Sequence, residues 1–301
     1  MKLWEWTRIC IDYMVGLTIV SSDVIRHGIT NTCFLRTIKY DIKHKHNILI
    51  IQGGIHHFSN QTPHYIKLFA SLPINSNIFH LERSDACVHI QNQCSDISSA
   101  INYINQHFNN NITSNIVVNN NNVNDDNYPL TVIGFSMGGA CLLSYIASCT
   151  CNNINNNNII NKNVNYITVC SPLNFKHLFN IVNKEPLFKW LYQNQLKQYA
   201  VSDMNKLCQR YNTTVDYVVD EYKSRLKSLN VEHDKLICLV GNQDVITMSI
   251  KSDIQELQFK YQIVNMTHAT HCCDTAIHTL HKIVSKHVDT KLPLTTIVNH
   301  L

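Results

Sequence analysis

The chain has 301 residues, 45% of them hydrophobic and only 15% charged, so it holds enough apolar mass for one large domain with a well-buried core, and wholesale disorder is excluded. Its formal net charge of +4 comes from 25 basic and 21 acidic residues with no long Lys/Arg block, which leaves no footprint for nucleic acid. Twelve cysteines are diluted over this length and many sit in apolar runs such as "KLICLVG" and "NYITVCSP", so buried, reduced thiols in a cytoplasmic protein are expected rather than a disulfide scaffold.

The first stretch, "MKLWEWTRICIDYMVGLTIVSSD", has a basic start and an apolar middle, but Asp12 interrupts the run and no small-residue cleavage pattern follows, which argues against a secretory signal. No apolar run approaches the roughly 18 residues that a membrane-spanning helix needs. "CFLRTIKYDI" then alternates as a half-exposed strand does, "HNILIIQGG" is a continuous apolar run ending in glycines, and "SNIFHLERS" reads as a third strand. In "CSDISSAINYINQHF", Ile97, Ala100, Ile101, Ile104 and Phe108 recur at helical spacing. An asparagine-rich tract, 109–127, precedes the buried strand "PLTVIGFS" and the helix "GGACLLSYIASC"; a second, 151–165, precedes the strand "VNYITVCSP". Both tracts read as surface-loop insertions. A long helical stretch from about Asn174 to Leu229, the strands "KLICLVGNQD" and "QFKYQIVNM", and a last helix through "DTAIHTLHKIVSKHV" complete the order. Strand and helix alternate throughout, which predicts an α/β class: a single domain with a mostly parallel central sheet covered by helices on both faces.

The glycines are not spread evenly. Six of the eight fall at three predicted strand ends: Gly53 and Gly54 after "NILIIQ", Gly134, Gly138 and Gly139 in "VIGFSMGGA", and Gly241 after "KLICLV". Gly134, Ser136 and Gly138 form G-x-S-x-G between a strand and a helix, a pattern expected about 0.01 times by chance in such a chain. A nucleophilic serine needs that context, because a sharp strand-to-helix turn lifts its hydroxyl above the sheet and leaves no room for neighbouring Cβ atoms. The turn also puts the Met137 amide at a helix N-terminus, where negative charge is stabilised. Ligands of open α/β sheets bind at the carboxyl ends of strands, so the three glycine-bearing loops are expected to converge.

These residues give the chain a resemblance to the α/β-hydrolase-fold serine hydrolases over most of residues 40 to 290. It is carried by "IGFSMGG", "LVGNQDVIT" and a histidine-bearing loop before the last helix, in that family's order Ser, Asp, His. Within the superfamily, "DISSAINYINQHF", "YPLTVIGFSMGGACLLSYI" and "SPLNFKHLF" are similar to the YheT-like branch of medium-chain ester hydrolases, acyltransferases and phospholipases. Gln52-Gly53 stands where that branch has His-Gly, and Arg83-Ser84 where it has Arg-Gly. The resemblance implies Ser136 as nucleophile, Asp244 as the acid that orients the base, and His271 as the base, with His268 in "NMTHATHCCD" as the alternative. It also implies an oxyanion hole from the amides of Met137 and Gly54, or of Ile55 in another register, and a small acyl ester as substrate with neither metal nor organic cofactor. Three other readings stay open: an acyltransferase, an aminopeptidase-like hydrolase, and an inactive binding protein on the same scaffold.

A helical lid is expected at about 172–232, where "FKHLFNIVNKEPLFKWLYQNQLKQY" carries Phe175, Leu178, Phe179, Val182, Leu187, Trp190, Leu191 and Leu196. These side chains either pack down on the core or line an acyl pocket, and the lid offers a route to peripheral membrane contact. His268, His271, Cys272 and Cys273 are zinc-ligand types, but adjacent Cys272-Cys273 is an awkward pair to aim at one ion and no CxxC occurs elsewhere. No metal is expected.

Overall fold

In a computed structural model of the chain, the described residues are 19–21, 25–29, 33–54, 61–82, 89–108, 128–152, 164–184, 189, 193, 196, 200–247 and 250–300. The strands are β1 (Ile19–Ser21), β2 (Ile25–Gly28), β3 (Phe34–Lys39), β4 (Asn47–Ile51), β5 (Gln61–Pro63), β6 (Asn77–Glu82), β7 (Leu130–Phe135), β8 (Val164–Val169), β9 (Leu236–Gly241) and β10 (Gln262–Met266). The helices are α1 (His64–Ser71), α2 (Ile90–Phe108), α3 (Met137–Asn152), α4 (Phe175–Lys184), α5 (Met204–Arg210), α6 (Val215–Lys227), α7 (Ile250–Leu257), α8 (Asp274–Thr290) and α9 (Leu294–Val298). Eight strands form one sheet in the order β10-β9-β8-β7-β4-β6-β3-β2, and β1 pairs with β5 in a separate antiparallel ribbon. From β10 to β6 all neighbours are parallel; β3 and β2 add an antiparallel edge.

Strands β4, β6, β7, β8 and β9 are buried at every residue, as expected of a sheet covered on both faces. Two apolar clusters lie on its two sides. One joins Leu49, Phe79 and Val132 to α2, α3 and α6; the other joins Ile48, Ile133 and Ile237 to α1, α8 and α9. Successive residues of a strand thus feed opposite layers, the period-two consequence of the pleat.

The strand order decides where a site can form. From β4 the chain crosses to β6 on one side, then returns past β4 to β7 and proceeds to β8 on the other. The connections therefore diverge between β4 and β7, which opens a crevice beyond their carboxyl ends. Those ends carry Gln52-Gly53-Gly54 and Ser136.

Several element boundaries differ from the sequence expectation. The alternation of "CFLRTIKYDI" runs to Ile42, but β3 stops at Lys39 after a register shift, and Asp41 folds into a turn in which its carboxylate accepts from Lys43 N at 2.9 Å. Helix α2 begins at Ile90, four residues before "CSDISS"; buried Gln93 interrupts the apolar spacing on its core face, so the periodicity does not reveal that first turn. The helical stretch 174–229 is broken at Asp203 and Thr214, whose side chains cap α5 and α6 by accepting from Lys206 N and Tyr217 N. Of the asparagine-rich tracts, Cys151 and Asn152 complete α3 and Val164 and Asn165 open β8; the rest of both lies outside the described residues. Of the nine cysteines whose side chains are described, eight are buried, each as a thiol.

Candidate active site

Ser136 alone separates β7 from α3, and it takes a left-handed backbone with φ 48°. For a residue with a Cβ this is a strained conformation, kept only where the surroundings fix it. They do so here: Ser136 N donates to Val169 O at 2.8 Å, and Ser136 O accepts from Gly139 N at 3.0 Å. The flanking glycines allow β7, α3 and the end of β4 to meet. A Cβ on Gly134 would stand 2.5 Å from Gly139 Cα, and one on Gly138 would stand 2.3 Å from Gln52 O and 2.5 Å from Ile51 O. Since those neighbours are backbone, they cannot move aside cheaply. Gly138→Ala is therefore expected to lower stability by about 1–3 kcal/mol or more, whereas Gly28→Ala, whose new methyl would meet only Phe34 Cε1 at 3.9 Å, changes it little. Thermal denaturation of both variants checks this; equal melting temperatures would contradict the close approach.

The next two loops are clasped to each other by their backbones. Beyond β9, Asn242 N donates to Met266 O at 3.1 Å and Gln243 N to Ala269 O at 3.0 Å, so the Asp244 loop holds the loop that follows β10. Asp244 is buried; its Oδ1 accepts from Ile246 N at 2.9 Å, and its Oδ2 faces His271 Nδ1 at 2.9 Å. His271 Nε2 lies 2.9 Å from Ser136 Oγ. One buried imidazole thus links the carboxylate to the elbow hydroxyl, across 135 and 27 residues of chain. His268 takes no part in that link. It sits exposed on the preceding turn, with φ 57°.

Burial works to discharge the His271 imidazole, yet the Asp244 carboxylate and the Cys272 sulfur hold its pKa well above the ordinary value. The same partners favour the imidazolium that forms when the ring accepts a proton.

The described start of the loop after β4, Gln52 to Gly54, packs against the Ser136 turn. Gly53 packs on the elbow, where an added Cβ would come within 2.8 Å of Ser136 Cβ, and Gly54 has φ 89°. Gly53 N donates to the Tyr65 hydroxyl at 2.8 Å, and the Tyr65 ring packs on Phe135 with centroids 4.7 Å apart. Gly53 N–H is thus engaged; the donors expected from the sequence, the Gly54 amide and the Met137 amide, lie just past the ends of β4 and β7, the Met137 amide in the first turn of α3, where amides have no intrahelical acceptor. Ile55, the alternative donor, lies outside the described residues, as do Arg83 and Ser84. Gln52 is fully buried and bonds His80 Nε2 at 2.9 Å, fixing the base of the loop. Tyr65, His80 and Cys170, which faces His271 from the end of β8, were not singled out from sequence. Cys170 directly follows the strand "VNYITV", so the rule that sites form at strand ends pointed to it.

Of the expected lid residues, Phe175, Leu178, Phe179 and Leu196 are buried in the core cluster, and Phe175 stacks on Tyr222 with centroids 4.0 Å apart. Tyr222 in turn donates to Pro172 O at 2.7 Å. These four side chains pack down on the domain; the side chains of Val182, Leu187, Trp190 and Leu191 lie outside the described residues.

No family model matches the chain, and no curated protein matches it in sequence. Its structure is similar to the siderophore hydrolase EstB from Aspergillus fumigatus, with a TM-score of 0.59 at 13% identity over 89% of this chain and 98% of that one. It is similar also to a Pyrobaculum calidifontis esterase, with 0.57 at 9% over 96% and 91%, and to esterase B from Lactobacillus Rhamnosis, with 0.55 at 12% over 97% and 94%. The fold is the α/β-hydrolase fold. In that fold Ser136 stands at the turn that joins a central strand, β7, to the following helix, α3. No described helix is long and apolar enough to cross a membrane.

Proposed function

We propose that the chain is a serine-dependent carboxylic ester hydrolase acting on medium-chain acyl or lipid esters. The observation that carries this reading is the unbroken chain Ser136 Oγ, His271, Asp244, with 2.9 Å at each link, set at the switch point of the sheet. Three structural neighbours that are named as esterases or as a hydrolase support the reaction class.

Ser136 Oγ attacks the ester carbonyl carbon while His271 Nε2 takes its proton, and Asp244 holds the Nδ1–H tautomer and the imidazolium that results. The carbonyl oxygen becomes an oxyanion facing the Met137 and Gly54 amides. Collapse breaks the bond to the leaving alcohol, which receives the proton from His271. Water, deprotonated by the same ring, then attacks the acyl-enzyme and releases the acid; a second alcohol in its place makes the reaction acyl transfer. No step requires a cofactor, and the buried thiols suit a reducing compartment such as the cytoplasm.

The acyl preference is inferred from sequence, from the apolar segment around Trp190 and Leu191. Each buried methylene favours binding by about 0.8 kcal/mol, so lengthening the acyl group from two to eight carbons adds about 5 kcal/mol before ordering costs. We therefore expect kcat/KM on a panel of simple esters to rise from acetyl toward medium-chain acyl groups, and Trp190→Ala or Leu191→Ala to flatten that rise. A profile that peaks at acetyl, or turnover confined to aminoacyl amides, moves the substrate to the small-ester or peptidase classes.

A further inference from the structure

Beside His271 the fold places two thiols that the hydrolytic steps do not use. The sulfurs of Cys170 and Cys272 and a ring nitrogen of His271 all lie within 4.8 Å of one another, and all three residues are buried. The two cysteines are held in place by backbone: Cys170 and Cys272 have φ of 52° and 50°, Cys170 N donates to Leu239 O at 2.8 Å, and Cys272 N points at Cys170 Sγ at 3.5 Å. Cys273, the neighbour that sequence spacing offered as a ligand, is not in this group. The second thiol comes instead from the end of β8, 102 residues away.

We propose that Cys170, Cys272 and His271 form an inhibitory site for a thiophilic divalent cation, with zinc as the probe. Two thiolates and one imidazole are a ligand set that zinc takes in tetrahedral sites, the fourth position being left to a small ligand. At zinc–sulfur bonds of about 2.3 Å, two tetrahedral sulfurs stand about 3.8 Å apart, so the present spacing needs an adjustment of about 1 Å or less. Charge also balances: the ion displaces two thiol protons, and two thiolates neutralise it, which a buried site requires. Binding silences the enzyme because both ring nitrogens of His271 are committed, one to Asp244 and one to Ser136. Whichever nitrogen the ion takes, the proton relay is broken.

The inhibition rests on the ester-hydrolase reading; the binding does not, and the experiment separates them. Full-length reduced protein is dialysed against zinc, and bound metal is counted for wild type, Cys170→Ser, Cys272→Ser and Cys273→Ser, each checked for a cooperative melt. Wild type and Cys273→Ser are expected to retain one zinc per chain that Cys170→Ser and Cys272→Ser bind at least about tenfold more weakly. Ester turnover with and without zinc, as a ratio for each protein, should fall at least tenfold for wild type, recover with chelator, and stay near one for the two weakened variants. Should either variant fail to fold, cobalt-loaded wild type decides the matter: a tetrahedral ligand-field band with thiolate charge transfer supports the site, and an octahedral spectrum overturns it. The proposal is also overturned by wild type binding no zinc, by equal binding in all four proteins, or by stoichiometric binding that leaves the turnover of an active enzyme unchanged. Zinc retained by a protein with no turnover keeps the site and removes the ester-hydrolase reading.

Discussion

Ser136→Ala is expected to lower ester turnover by about 10⁶-fold while leaving the fold and its melting temperature close to those of wild type. The change removes one oxygen from a residue whose backbone is held by Val169 O and Gly139 N, neither of which depends on the side chain. Alanine meets the same left-handed φ of 48° that serine already tolerates, so no new strain enters. His271 and Asp244 keep their contact at 2.9 Å. What remains is binding and the oxyanion amides, which alone give a residual acceleration of about 10³–10⁴ over water. Turnover near wild type in purified, correctly folded Ser136→Ala refutes the nucleophile. A large loss of both activity and cooperative melting leaves chemistry and folding confounded, and probe labelling of the wild type then separates them.

The second large effect distinguishes the two histidines of "NMTHATHCCD". His271→Ala is expected to reduce kcat by about 10⁴–10⁶-fold, because the serine loses its proton acceptor and the imidazolium its site. It also leaves the buried Asp244 carboxylate with Ile246 N as its described remaining partner, so a loss of a few kcal/mol of stability should accompany it. His268→Ala alters an exposed turn and should change kcat by no more than about threefold and stability by no more than about 0.5 kcal/mol. Steady-state kinetics on both variants gives the ranking. The reverse order transfers the base to His268, and two mild effects point to a scaffold without catalysis.

Much of this site was legible because its constraints are local. G-x-S-x-G between a buried strand and a helix is visible in ten residues, and so are the strand ends that carry Gly53, Gly54 and Gly241. The choice between His268 and His271 was not. Both are within reach of the same strand end, and the fit of two loops distant in sequence, clasped by Asn242 N on Met266 O and Gln243 N on Ala269 O, goes with His271 turning inward. Tyr65 escaped because it acts on Gly53, 12 positions away, and the partner of Cys170 because Cys272 lies 102 positions away, even though the strand end that carries Cys170 was visible. The capping signals at Asp203 and Thr214 were present in the sequence, however. They are masked in a periodicity reading by the apolar residues on either side, Met204, Leu207, Val215 and Val218.

The central claim is that Ser136 is an activated nucleophile, and covalent labelling tests it without any knowledge of the substrate. Purified full-length protein is treated with a fluorophosphonate, and the modified residue is located by peptide mass spectrometry. Stoichiometric phosphonylation of Ser136, abolished in Ser136→Ala and strongly slowed in His271→Ala, is the result expected from an imidazole 2.9 Å from Oγ. Folded wild-type protein that does not label, or that labels at another serine with Ser136 unmodified, would contradict it.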